Sequence, residues 1–284
     1  MAGASMKAIK LRIRSVQNTM QITKAMQLVA SSKLRGARAR MESSHPYFVA
    51  AQRAVQDIAA HDIGTSNVYL SGRETVKKRC YVVIAGDRGL AGSYNVNVLK
   101  ALAESAGRDS TPWCVYPVGK KAAEHCAYQG YELRASGIDR VDTITVAQCD
   151  QLADSIMKGF RSGEFDEVYL VYTTFVNVLN QRAQTMRLLP VERAQEETSK
   201  KLMLFEPGPE AILSQFLPQY VSGLIYAAAC DSYLSEQAAR RVAMDSATKN
   251  ASEMIDDLSL RYNRARQGSI TQEITEIVAG SEQH

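Results

Sequence analysis

The stretch with the clearest chemical potential is Gly86-Asp87-Arg88-Gly89-Leu90-Ala91-Gly92, a glycine-rich loop between an apolar run and a helical pattern. Backbone amides at such a strand-to-helix turn are the usual cradle for phosphate. The spacing is wrong for that use. It is neither G-x-G-x-x-G nor G-x-x-x-x-G-K-S/T, no such loop occurs elsewhere, and the next strand lacks an acidic residue suited to a ribose. The glycines therefore read as a tight structural turn. Histidines 45, 61, 125 and 284 show no metal-ligand spacing, and His125-Cys126 are neighbours on a helical pattern, where adjacent side chains diverge. No G-x-S-x-G elbow is present, and Asp256-Asp257 and Glu273/Glu276 read as solvated helix faces. The sequence predicts no catalytic residue, no cofactor-binding residue and no metal ligand.

The elements around that loop are more telling. Proline occurs at 46, 112, 117, 190, 207, 209 and 218, so 1–45 and 219–284 contain none. Both segments are rich in strong helix formers and would extend about 65 and 100 Å as helices. Ile9, Ile13, Val16 and Met20 step by four, three and four, the seam of a coiled coil. The register then meets Thr23 and Gln27 and weakens, although Met26, Val29 and Leu34 keep an apolar stripe. Near the other end Ile255, Leu258, Tyr262 and Ala265 repeat the pattern, followed by Ile270, Ile274, Ile277 and Val278. Two such ends, separated by a folded insert, pair most simply as antiparallel helices.

The insert alternates strands and helices. Cys80–Ala85 and Trp113–Val118 read as buried strands, Lys120–Gln129 as a helix, and Val141–Thr145 as a short strand before a helix Val146–Phe160 capped by Thr145. Val168–Phe175 and Thr185–Val191 complete the set, joined by a polar link at Asn177–Gln181. The predicted fold is α/β: a long antiparallel coiled coil of the N- and C-terminal helices with an inserted Rossmann-like domain, mostly parallel with an antiparallel edge. The expected bounds are 1–60, 76–206 and 209–284.

Net charge is only +4, but its distribution is uneven. Residues 1–60 carry ten bases against two acids, and 209–284 carry six bases against ten acids, so the ends have opposite sign. Five cysteines without a C-x-x-C pair argue for reduced thiols. No run approaches the roughly 18–20 apolar residues of a membrane span, so any membrane link is expected through partners.

Three ordered motifs resemble the gamma subunit of F-type ATP synthases. They are Ile9–Thr19 continuing through Ile22–Met26 to Ser32–Leu34, the run Asp87–Asn95, and Leu260–Gln267 followed by Ile270–Gly280. Gly268 and Ser281 stand where the family commonly has alanine. The resemblance implies a non-catalytic rotor. Its coiled coil would enter a ring of alpha and beta subunits, and its α/β domain would form a foot beside the epsilon subunit on the membrane c-ring. It implies that Lys24, Met26, Arg266, Gln267, Thr271 and Glu273 face beta-subunit loops, and that Ile274, Ile277 and Val278 sit in a collar of partner residues. Lacking the chloroplast insertion and a mitochondrial presequence, the chain is expected on the cytoplasmic face of a bacterial membrane, bound only through the c-ring and without nucleic acid. Two other classes stay open from the residues alone. An α/β nucleotide-dependent enzyme with a helical arm would bind nucleotide in isolation, and a basic arm gripping RNA would bind with strong salt dependence.

Overall fold

The computed structural model describes residues 2–60, 68–191 and 208–281. Their elements run α1 (Ala2–Ala60), α2 (Val68–Ser71), β1 (Arg79–Ile84), α3 (Tyr94–Ala106), β2 (Trp113–Val118), α4 (Lys120–Tyr128), α5 (Val146–Ser162), β3 (Glu167–Phe175), β4 (Gln181–Leu189) and α6 (Pro209–Ser281). The chain divides into two units: residues 1–31 with 240–284, and residues 32–239.

In the larger unit the sheet order is β2-β1-β3-β4, with β1 parallel to β2 and β3, and β4 antiparallel to β3. This is the expected mostly parallel sheet with an antiparallel edge. Side chains alternate across β1. Cys80, Val82 and Ile84 join a core with α5, α6 and the end of α1, while Tyr81 and Val83 join a second core with α3 and α4. Helices on both faces explain why β1 and β2 read as continuous apolar runs. Pro117, which lacks a ladder donor, lies on the edge strand β2. Thr145 caps α5 in a full capping box with Gln148.

Other expectations need correction. Residues 141–145 are a turn, because the Asp87 carboxylate accepts the amides of Val141 at 3.1 Å and Asp142 at 3.3 Å. Val141 and Ile144 are buried one helical turn apart and do not alternate as in a strand. β4 starts at Gln181, inside the stretch read as a link, since the Asn177 side chain closes a tighter turn by accepting the amides of Leu179 and Asn180. Proline does not mark the helix boundaries. α1 runs through Pro46 and α6 through Pro218. An interior proline costs about 3 kcal/mol, and burial of Ala51, Val55 and Ile58 beyond Pro46 offsets it.

Within this unit α6 is sewn to the sheet. Ser232 Oγ accepts the amide of Thr173 at 3.2 Å, Ser235 Oγ donates to the Thr173 carbonyl at 3.4 Å, and the Asp231 carboxylate accepts from the amide of Phe175. Burial raises the pKa of Asp231 to about 6. Between the ordinary carboxylate value and 6 the folded chain holds a proton that the unfolded chain has released, so stability falls as pH rises through that window. Asp231→Asn is expected to raise the melting temperature at pH 7.5 relative to the native chain, with a smaller or reversed difference at pH 4. Equal differences at both pH values would contradict the account.

The smaller unit is a pair of helical segments. On α1 the half-buried and buried positions include Met6, Ile9, Ile13, Val16, Met20, Thr23, Gln27 and Ala30, an unbroken three-four spacing, with Met26 and Ser31 beside it. On α6 they include Met244, Thr248, Ala251, Ile255, Leu258, Tyr262 and Ala265, which keep the same spacing. The seam does not weaken at Thr23. Thr23 Oγ1 meets Thr248 Oγ1 at 2.8 Å, and Gln27 Nε2 donates to Asp245 Oδ1 at 2.9 Å. Ascending numbers on one helix meet descending numbers on the other, so the pair is antiparallel. Val29 lies off the seam and is exposed.

Candidate partner interface

The two polar bonds fix the register of the helix pair. Thr23 opposes Thr248, and stepping outward along the heptads brings Ile9 to the level of Tyr262 and Met6 to that of Ala265. Among the described residues, those after about 270 on α6 then have no α1 residue opposite them. There Ile270, Ile274 and Ile277 follow one another at four and three residues, with Val278 beside them, and all are exposed, Ile277 at 71%. Among the described residues nothing covers this apolar stripe at helical spacing.

Of the residues implicated by resemblance, Lys24 is exposed and Met26 half-buried beside the Gln27–Asp245 bond. Arg266, Gln267, Thr271 and Glu273 are exposed near the far end of α6. The structure does not bring these two sets together. In the observed register they lie about 19 to 28 residues apart, or roughly 30–40 Å along the helix pair. Thr271 Oγ1 donates to the Gln267 carbonyl at 3.0 Å and Ser269 Oγ to Glu273 Oε1 at 3.4 Å, so both are held on the helix surface. Gly268, with open space around it, does not interrupt α6.

Sequence reasoning missed the polar rungs. Asp245 accepts from Gln27 on the opposite helix and pairs with Lys249 at 2.8 Å, and that ammonium holds its carboxyl below the usual range. The signal was available in the unbroken spacing through Thr23 and Gln27. Polar seam positions of this kind specify register at some expense of stability.

The glycine-rich loop is occupied by its own chain. The Gly86 amide donates to Asn95 Oδ1 at 2.9 Å, Asn95 Nδ2 donates to the Arg88 carbonyl at 3.2 Å, and Asp87 is committed to residues 141 and 142. A Cβ on Gly86 would come within 2.9 Å of Glu236 Cδ, so α6 packs directly on the loop. Two carboxylates at this turn disfavour a phosphate, and the loop instead locks α6 to the end of β1. The five cysteines are buried and free. Burial pushes the Cys126 thiol up to about 11, away from nucleophilic use. Among the described residues no group of three or more potential ligands gathers for a metal, and no helix is long and apolar enough to cross a membrane.

The chain thus combines a helix pair drawn from its two ends, an α/β insert and an exposed apolar stripe near the end of α6. Comparison with known proteins makes this specific. The ATP synthase family matches residues 5–283. The ATP synthase gamma chain of Ruminococcus albus is 45% identical, covering 98% of each chain. The sodium ion specific ATP synthase gamma chain of Acetobacterium woodii is 42% identical over 96% of this chain and 97% of that one. The same fold occurs in a cryo-EM structure of the Euglena gracilis mitochondrial ATP synthase (OSCP, F1 and c-ring), with a TM-score of 0.69 at 18% identity over 99% of this chain and 94% of that one. It occurs also in the central stalk and c-ring structure of the Tetrahymena thermophila enzyme, with a TM-score of 0.62 at 24% identity over 80% of this chain and 99% of that one. The chain belongs to the ATP synthase gamma-chain family.

Proposed function

We propose that this chain is the central rotor stalk of an F-type ATP synthase, coupling ion-driven rotation of a membrane c-ring to ATP synthesis, or the reverse, at an alpha/beta ring. The observation that carries this reading is the helix pair in fixed antiparallel register, from which one helix continues alone with its apolar stripe uncovered. Ile274, Ile277 and Val278 sit in a collar of partner residues. The sheet-bearing part serves as the foot, beside the epsilon subunit and on the c-ring, at the cytoplasmic face of a bacterial membrane. The chain supplies no catalytic group. It works by presenting different side chains to equivalent partners at each angle, so that each catalytic site is biased by differential contact energy.

Lys24 and Met26 form one contact zone with beta-subunit loops, and Arg266, Gln267, Thr271 and Glu273 another. An ammonium at position 26 would be drawn to acidic beta loops at some angles and not others, adding an uneven barrier to rotation. Met26→Lys is therefore expected to lower ions pumped per ATP severalfold while hydrolysis persists, measured in inverted vesicles. Pumping per ATP equal to that of the native complex would remove Met26 from the coupling zone. Co-purification tests the reading as a whole. The tagged chain should bring down alpha and beta subunits in fixed stoichiometry, and recovery of the chain without them would count against it.

A further inference from the structure

A cavity of about 340 Å³ opens within the larger unit, where residues 41–45 of α1, the strands β3 and β4, and residues 224–231 of α6 meet. That volume lies in the range of small-molecule sites. Met41, Met186, Leu224, Tyr172 and Phe175 supply soft, apolar walls, and Asp231 supplies one carboxylate. Its polar contact is the Phe175 amide, and among the described residues it forms no ion pair with a lysine or arginine. His45, an exposed side chain on the cavity wall, faces that carboxylate. Methionine sulfur and aromatic faces attract cations. The Arg38 guanidinium already stands 5.8 Å from the Phe175 ring centroid.

This combination selects a ligand class. A half-buried carboxylate with no lysine or arginine partner among the described residues disfavours anions and leaves neutral guests with an unmet charge. Hard divalent cations require six or more oxygen ligands, which one carboxylate and apolar walls do not provide. A guest with an aryl or alkyl body and a protonated amine satisfies both halves of the cavity. We propose that this cavity is a binding site for a small organic ammonium ion, its hydrocarbon packed among Met41, Tyr172, Met186 and Leu224 and its ammonium paired with Asp231. Such a guest would touch α1, the sheet and α6 together, at the place where Asp231 and Ser232 sew α6 to β3.

The full chain labelled at its methionine methyl groups gives a direct test, because two of its ten methionines line the cavity. At pH 7.5, 2-phenylethylamine is expected to shift the Met41 and Met186 signals saturably, leaving the rest in place. The alcohol 2-phenylethanol should require about tenfold more, and 3-phenylpropionate should produce no shift. Asp231→Asn should bring the amine and the alcohol to equal affinity. Unmoved Met41 and Met186 signals, equal response to amine and carboxylate, or an intact amine preference in Asp231→Asn would each overturn the proposal. Should that variant fail to fold, the charge series on the native chain decides alone.

Discussion

Gly119→Ala is expected to cost the chain about 3–5 kcal/mol of stability, a large share of the 5–15 kcal/mol typical of a folded domain. Gly119 has φ +90° and ψ 152°, a backbone conformation that only glycine adopts readily, and this strain alone is worth about 1–3 kcal/mol. Space adds to it. An ideal Cβ would lie 2.3 Å from the Ala85 carbonyl oxygen and 2.9 Å from Val141 Cγ2, so either the end of β1 or the 141–145 turn must move. Both are anchored, by the bonds from the Ala85 amide to the Val118 carbonyl at 3.1 Å and from the Val141 amide to the Asp87 carboxylate at 3.1 Å. Gly89→Ala is the control, since nothing lies within 4 Å of its Cβ position. It should change stability by less than about 1 kcal/mol. Urea unfolding of the two variants measures the difference, and similar midpoints would contradict this account of the turn.

Asp166→Ala is expected to cost about as much, by a different route. Asp166 is 4% exposed and accepts the amides of Lys77 at 2.7 Å and Lys78 at 3.1 Å. It also pairs with Arg73 at 3.3 Å, and that guanidinium donates to the Phe160 and Phe165 carbonyls. The carboxylate thus holds the entry of β1 beside the entry of β3. Truncation leaves two amides and a partly buried cation without their acceptor, which costs about 3–5 kcal/mol for a buried pair. By contrast, Lys100→Ala, which breaks the exposed pair with Glu104, should cost under about 1 kcal/mol. Denaturant midpoints again provide the measurement. A loss at Asp166 no larger than at Lys100 would show that the amides find other partners.

The sequence disclosed those parts of the fold that hydropathy controls. β1 and β2 are buried on both faces and stand out as apolar runs, and Thr145 with Gln148 announces the start of α5 through local hydrogen bonding. The partners of long-range polar bonds were not legible, although the seam spacing through Thr23 and Gln27 was. Thr23 and Gln27 interrupt the hydropathy of the seam, and their partners lie more than 200 residues away. The β-branched stretch Val141–Thr145 imitates a strand because the carboxylate that bends it, Asp87, is 54 residues earlier. Pro46 and Pro218 carry a strong local signal that tertiary packing overrides. The apolar stripe Ile270, Ile274, Ile277 was visible as spacing, but that it lies bare follows only from the register of the helix pair.

Rotation itself is the most direct test of the rotor reading. Tyr128 is 87% exposed, whereas all five native cysteines are buried, so Tyr128→Cys offers a selective attachment point for a bead. With the assembled complex fixed to a surface through its beta subunits, added ATP should turn the bead steadily in one direction. A bead that stays still while the same molecules hydrolyse ATP would contradict the account.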